Sequence, residues 1–176
     1  MKLLTLVPIG ACDPEVVDYL SLVLPDYFGC VSRVRHLALA AQDFFDPVRR
    51  QYHSTLLLAE LLRLGEAGTG EVILGVTDHD LYIPILTFVF GEAVLRGRVA
   101  IVSTHRLRQE RYGLPADQAL LLQRVEKEAL HELGHTQGLV HCRDSLCVMH
   151  FSNSVEEVDM KGGAFCEECL AALNGE

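Results

Sequence analysis

Apolar positions change rhythm several times along the chain, and each change marks an element. The opening residues MKLLTLVPI are almost all apolar; broken by Pro8 and lacking a small-residue cleavage site, they read as a first buried strand rather than a secretory leader. Pro14 opens a helical stretch to about Phe28, with Val16, Val17, Leu20, Val23 and Leu24 on one face. Val31 to Leu39 reads as a second strand and Asp43 to Pro47 as a turn-rich break. Val48 to Leu64 reads as a second helix, apolar at Leu57, Leu58, Leu61 and Leu62 and ended by Gly65, Gly68 and Gly70. Glu71 to Thr77 (EVILGVT) is a continuous apolar run, the pattern of a central strand covered on both faces. Within residues 81–103, LYIPILTFVFGEAV and RVAIVS read as further strands joined through Arg96-Gly97, with Pro84 suiting an edge or a bulge.

Thr104 to Gly113 is polar and basic. It reads as a solvated connecting loop, although Arg106, Arg108 and Arg111 also offer a clamp for an acidic substrate. Pro115 suits the first turn of a long helix running to about Gln137, with Leu121, Val125, Ala129 and Leu133 as its core stripe. On another stripe Arg124 and Glu128 are spaced for a surface i,i+4 pair. Gly134 lies mid-helix, where glycine costs about 1 kcal/mol against alanine. Phe151 to Met160 reads as a polar loop, Lys161-Gly162-Gly163 as a turn, and Cys166 to Leu173 as a short helix. Strands alternating with helices predict an α/β (α+β) fold, a twisted mixed sheet packed with helices. One domain is expected over residues 1–176, divided into an N-terminal subdomain, 1–138, and a small C-terminal one, 139–176.

Composition narrows the function classes. A chain of 176 residues that is 49% hydrophobic and 22% charged can fill one core. Its formal charge of −9 argues against a nucleic-acid partner, because phosphate backbones are gripped by clustered Lys and Arg. No segment has the roughly twenty apolar residues of a membrane span. The expected location is cytoplasmic, with thiols reduced unless they hold metal.

The chemistry is concentrated in His131-Glu132-Leu133-Gly134-His135-Thr136-Gln137-Gly138-Leu139-Val140-His141. A helix turns about 100° per residue, so His131 and His135 share a face at a spacing that can grip one zinc ion. Glu132 faces the same cavity at an offset unsuited to a third ligand, which is where a general base for a metal-bound water belongs. Gly138 can take the left-handed conformation that reverses the chain and returns His141 as a third nitrogen ligand. Three protein ligands and one open position make a catalytic zinc arrangement. His36, His53, His79 and His105 are isolated from this motif and read as ordinary hydrogen-bonded or surface residues.

Cys142, Cys147, Cys166 and Cys169 form two close pairs, C-x4-C and C-x2-C, spaced for a closed tetrahedral thiolate zinc site. Two disulfides or buried thiols are the alternatives. Because Cys142 follows His141 directly, one short loop would serve two metals, a catalytic and a structural Zn2+.

The run H-E-x-x-H-x-x-G-x-x-H-C-x4-C-x-M followed by C-x-x-C resembles the archaemetzincins, a branch of the metzincin zinc peptidases. Residues 131 to 169 carry the resemblance; upstream it is one of element order and length. It implies a metzincin-like zincin fold with an active-site helix, catalytic zinc on His131, His135 and His141, and Glu132 as base. It also implies that Met149 forms the Met-turn beneath the metal and that the four cysteines bind a second zinc. A close approach of that turn would account for Gly134. By the same analogy a strand around Phe88 to Glu92 forms the upper rim of the cleft. Many metzincins place a tyrosine two residues after the methionine; here that position is Phe151. The expected function is zinc-dependent hydrolysis of a peptide or protein substrate, the alternative being a zinc-stabilised peptide-binding module with little turnover.

Overall fold

Across residues 1–65 and 70–175, which the computed structural model describes, strands and helices alternate through most of the chain. In order they are β1 (Leu3–Ile9), α1 (Pro14–Phe28), β2 (Val31–Val34), a 3-10 turn (Ala41–Phe44), β3 (Phe45–Asp46), β4 (Gln51–His53) and α2 (Ser54–Gly65). There follow β5 (Glu71–Thr77), β6 (Leu81–Tyr82), β7 (Gly91–Ala93), β8 (Val99–Ser103), a second 3-10 turn (Gln109–Tyr112), α3 (Gln118–Thr136), α4 (Val155–Met160) and α5 (Glu167–Asn174). The main sheet has the order β2-β1-β5-β8-β7, with β7 antiparallel at one edge and the other pairings parallel. A small second sheet has the order β3-β4-β6.

The continuous apolar strands resolve into two alternating faces. Leu4, Leu6, Val72, Leu74, Val76, Ala100 and Val102 pack with α1 and α3 into one core. Their neighbours Val7, Ile9, Ile73, Val99 and Ile101 pack with Leu57, Leu58 and Leu61 of α2 into the other. Every residue of β5 is buried, as the unbroken run predicts for a strand with helices on both sides. Among the described residues no helix is long and apolar enough to cross a membrane.

Where elements differ from the sequence reading, tertiary contacts are the reason. The second strand stops at Val34, having β1 alone as its partner, and Leu37 and Leu39 turn to pack beneath the α2 core. The second helix starts at Ser54 rather than Val48, because Gln51–His53 pairs with β3 and β6 and Val48 is left 91% exposed. Glu92 of β7 meets that start, accepting from the hydroxyls of Ser54 and Thr55 where the helix dipole favours an anion. Gly68 lies outside the described residues. The long 81–94 strand is two short ones separated by an irregular segment containing Pro84. Pro115 precedes α3, which Asp117 caps by accepting from the Leu120 amide at 3.0 Å. The polar loop after Met149 contains α4, capped by Ser154.

Candidate metal centre

The core stripe of α3, Leu121, Val125, Ala129 and Leu133, is buried as its spacing predicts, and this fixes the direction in which the next face points. That face carries His131 and His135. The helix ends at Thr136; Gly138 follows at φ 100°, and the chain turns back to bring His141 alongside. The His141 ring centroid lies 5.2 Å from that of His131 and 5.0 Å from that of His135.

Backbone carbonyls set the tautomers of the two helical rings. His131 Nδ1 donates to Val148 O at 2.9 Å and His135 Nδ1 donates to Leu139 O at 2.8 Å. Their Nε2 lone pairs therefore face each other, 3.1 Å apart. Burial lowers all three imidazole pKa values, His131 well below its ordinary value, with the Lys161 charge a secondary cause in each, so all are neutral at pH 7. Opposed lone pairs at that separation call for a cation. Tetrahedral zinc with Zn–N bonds of about 2.05 Å spaces its nitrogens about 3.3 Å apart, so the donor set fits the ion.

Glu132 is buried, and its carboxyl pKa is raised well above the ordinary value, first by burial and then by Glu128, with Lys161 opposing. The edge strand leans directly on it. A Cβ built on Gly91 would stand 2.6 Å from Glu132 Cγ and 2.6 Å from Ile101 O, so only glycine lets β7 pass this close. With His131, His135, His141 and Phe151, Glu132 lines a cleft of about 340 Å³ whose opposite wall is the segment from Leu86 to Ala93. The rim expected around Phe88 to Glu92 is this wall, with only its last part a regular strand. Phe151 packs against His141 at a tilt of 47°, with centroids 4.9 Å apart.

The Arg124–Glu128 surface pair does not form. Both side chains are buried and each has a partner from beyond the helix. Arg124 grips Asp159 of α4 through two hydrogen bonds, 2.7 and 2.6 Å, and donates to Leu107 O. Glu128 pairs with Lys161 at 2.8 Å. Spacing on one helix showed the charges but not the partners that α4 supplies. Lys161, Gly91 and Glu92 were not singled out by the sequence, because each matters through a contact more than 30 residues away.

Below the histidines, Met149 is fully buried, and the contact explains Gly134. A Cβ there would lie 2.5 Å from Met149 Sδ. The same loop carries Cys142 and Cys147, and α5 with its N-cap brings Cys169 and Cys166 against them. Cys142 Sγ lies 3.7 Å from Cys166 Sγ, Cys147 Sγ lies 3.7 Å from Cys169 Sγ, and all four atoms lie within 4.8 Å of one another. No disulfide joins them. With Zn–S bonds of about 2.3 Å, a tetrahedral site sets sulfurs about 3.8 Å apart, so these thiols too are spaced for an ion. The Cys169 amide lowers the Cys166 thiol pKa, while burial raises those of Cys147 and Cys169. Two hydrogen bonds to the Cys142 backbone tie the loop shut: its amide donates to Met149 O at 2.9 Å, and the His150 side chain donates from Nδ1 to its carbonyl at 3.0 Å. None of His36, His53, His79 and His105 joins either donor set.

The model of peptidase family M54 matches residues 17–175. An archaemetzincin from Methanocaldococcus jannaschii is 39% identical over 166 residues, 94% of this chain and 89% of that one. The crystal structure of archaemetzincin from Methanopyrus kandleri superposes with a TM-score of 0.86 at 40% identity, covering 99% of this chain and 94% of the other. That of archaemetzincin from Archaeoglobus fulgidus complexed with malonate gives 0.84 at 38%, covering 97% and 99%.

Proposed function

The chain belongs to peptidase family M54, the archaemetzincins, and from that premise we propose that Glu132 is the general base of a hydrolytic site held by His131, His135 and His141. Membership makes the protein a zinc metallopeptidase, a hydrolase acting on peptide bonds. Zinc bound to three neutral imidazoles supplies a Lewis acid for the scissile carbonyl and lowers the pKa of water toward about 7.

The residues of the chain do the rest. Among the described residues no fourth ligating side chain joins the three rings, so an ion held there would keep a place for water beside the cleft. Glu132 takes the proton of the attacking water and hands it to the leaving amine, a role its place beside the three rings on the cleft allows. The 86–93 wall orients the peptide, and β7 offers it an unpaired strand edge. What supports this reading above all is the convergence of three imidazole nitrogens, two of them with fixed tautomers, beside a buried carboxylate on an open cleft.

The cysteine set completes the proposal as a second, structural zinc site, giving two ions per chain. With it goes the division into subdomains 1–138 and 139–176 meeting at Gly138. A cytoplasmic setting, where thiols stay reduced, suits that site. The test is metal analysis paired with a peptide-library cleavage screen with and without chelator. Two equivalents of zinc and chelator-sensitive cleavage are expected. A metal-free protein, or cleavage indifferent to chelator, would end the reading.

A further inference from the structure

A second concavity, of about 690 Å³, shares Thr87 with the cleft and is chemically unlike the rest of the protein. The chain has a formal charge of −9, yet this basin is ringed by Arg49, Arg50, Arg106 and Arg111 against only two carboxylates, Asp78 and Asp80. Its histidines leave that balance untouched. Burial lowers the pKa of both His79 and His105. His105 Nδ1 donates to Asp78 O at 3.1 Å, so Nε2 is free to accept from Arg111 Nη1 at 2.6 Å. Among the lining residues the guanidinium groups outnumber the carboxylates by two.

Fastening the cleft wall accounts for part of the cluster only. Arg49 donates to the carbonyls of Leu86 and Thr87, Gln51 donates to Thr87 O, and Arg106 lies 4.2 Å over the Phe88 ring while gripping Asp80 in two hydrogen bonds, 2.6 and 2.7 Å. Those contacts hold the wall and commit the single charge of Asp80 to Arg106. Arg111 reaches the same carboxylate at 3.6 Å, and Arg49 has the charge of Asp46, outside the basin's lining, acting on it. Arg50, turned outward at φ 56°, has no side-chain partner among the described residues. Arg50 is therefore surplus to the fold, and Arg111, held by the neutral His105 ring and at longer range by Asp80, lines the same basin, which meets the cleft at Thr87.

We propose that this basin is a subsite for a carboxylate of the bound peptide, either an Asp or Glu side chain or the free C-terminus. Guanidinium forks bind carboxylates with paired, charge-assisted hydrogen bonds, and an anion here meets an excess of positive charge on an otherwise repelling surface. The proposal rests on the peptidase reading and supplies its substrate class.

The experiment compares binding to the zinc-loaded Glu132→Gln protein of two capped peptides differing only by Glu against Gln, with the substituted position scanned along the sequence. A third peptide has a free C-terminus in place of the amide. At one position the glutamate peptide, or else the free-terminus peptide, should bind at least roughly fivefold more tightly, as one partly solvated charge-assisted contact gives. The two arms assign the carboxylate to a side chain or to the chain end. Arg50→Gln with Arg111→Gln should erase the preference while leaving the affinity of the Gln peptide unchanged. Arg50→Gln alone, which breaks no contact within the protein, should at least halve it. Equal binding of all three peptides, or a preference that survives the double variant, overturns the subsite. Wild-type cleavage of the Gln peptide separates the two readings: zinc-dependent cleavage without charge preference defeats the basin and leaves the peptidase standing.

Discussion

Lys161 Nζ lies 2.8 Å from Glu128 Oε1, with neither side chain reaching solvent, and the same ammonium lies 3.3 Å from His150 O. One buried pair thus ties α3 to the loop beneath the metal centre. Removing one partner leaves the other charge buried and alone, which costs about 3–5 kcal/mol. Lys161→Met or Glu128→Leu should each destabilise by that order, and the double variant should recover most of it. Denaturant unfolding of the three proteins gives the coupling; additive losses would show that the pair is not one unit.

Glu132→Gln should keep the zinc content of the wild type and lose about two to four orders of magnitude in peptide hydrolysis, the contribution of a positioned base. Metal analysis alongside initial rates checks both halves. Cleavage at the wild-type rate would remove Glu132 from the chemistry.

Gly134→Ala sets two effects against each other. Helix propensity favours alanine by about 1 kcal/mol, whereas forcing a methyl group into a packed contact costs about 1–3 kcal/mol. The new Cβ would stand 2.5 Å from Met149 Sδ and 3.2 Å from Phe165 Cε1, so the clash wins. A fall in Tm of a few degrees is expected, restored in part by adding Met149→Ala.

Cys166→Ser should release the zinc of the cysteine set and also weaken metal binding by the histidines about tenfold or more, the usual effect of disturbing a ligand's support. The reason is local: Cys142 adjoins His141, and its backbone holds both Met149 and His150. Competition with a chromophoric chelator reads each site. Unchanged affinity at the histidines would mean that the two sets are independent.

Tyr19 and Tyr27 both donate to Glu126, and burial, followed by that hydrogen bond, pushes both phenols up to about 12. Between pH 10 and 12 the unfolded chain has lost these protons and the folded chain retains them. Their contribution is therefore complete below pH 10 and disappears as pH rises through the folded value. Phenolate absorbance should show late-titrating tyrosines, and Glu126→Gln should bring two of them closer to the ordinary range.

Local periodicity made α1, β5, β8 and the α3 stripe readable, because each buries a face that its own residues define. The clustering of His131, His135 and His141 was equally readable, since all three lie within one helix and its turn. What escaped were elements owed to distant partners. Gln51–His53 looks helical until β3 and β6 claim its backbone, and Arg124 and Glu128 look like a surface pair until α4 and Lys161 arrive. Gly134 was noticed for its cost, and only the position of Met149 gives the cause. Gly91 carried no signal at all, since glycine in a short strand is unremarkable until a carboxylate is found against it.

The Cys142 amide and Met149 carbonyl close a small ring of backbone around Arg143 to Val148. One side of the ring leads to His141, the other ends on the buried Met149, and Cys142 and Cys147 belong to it. Chain length between Cys142 and Met149 is consequently a fixed dimension, like the span of a hinge pin. Insertions that a surface loop elsewhere would absorb at small entropic cost would, at this place, move donors of both sets at once.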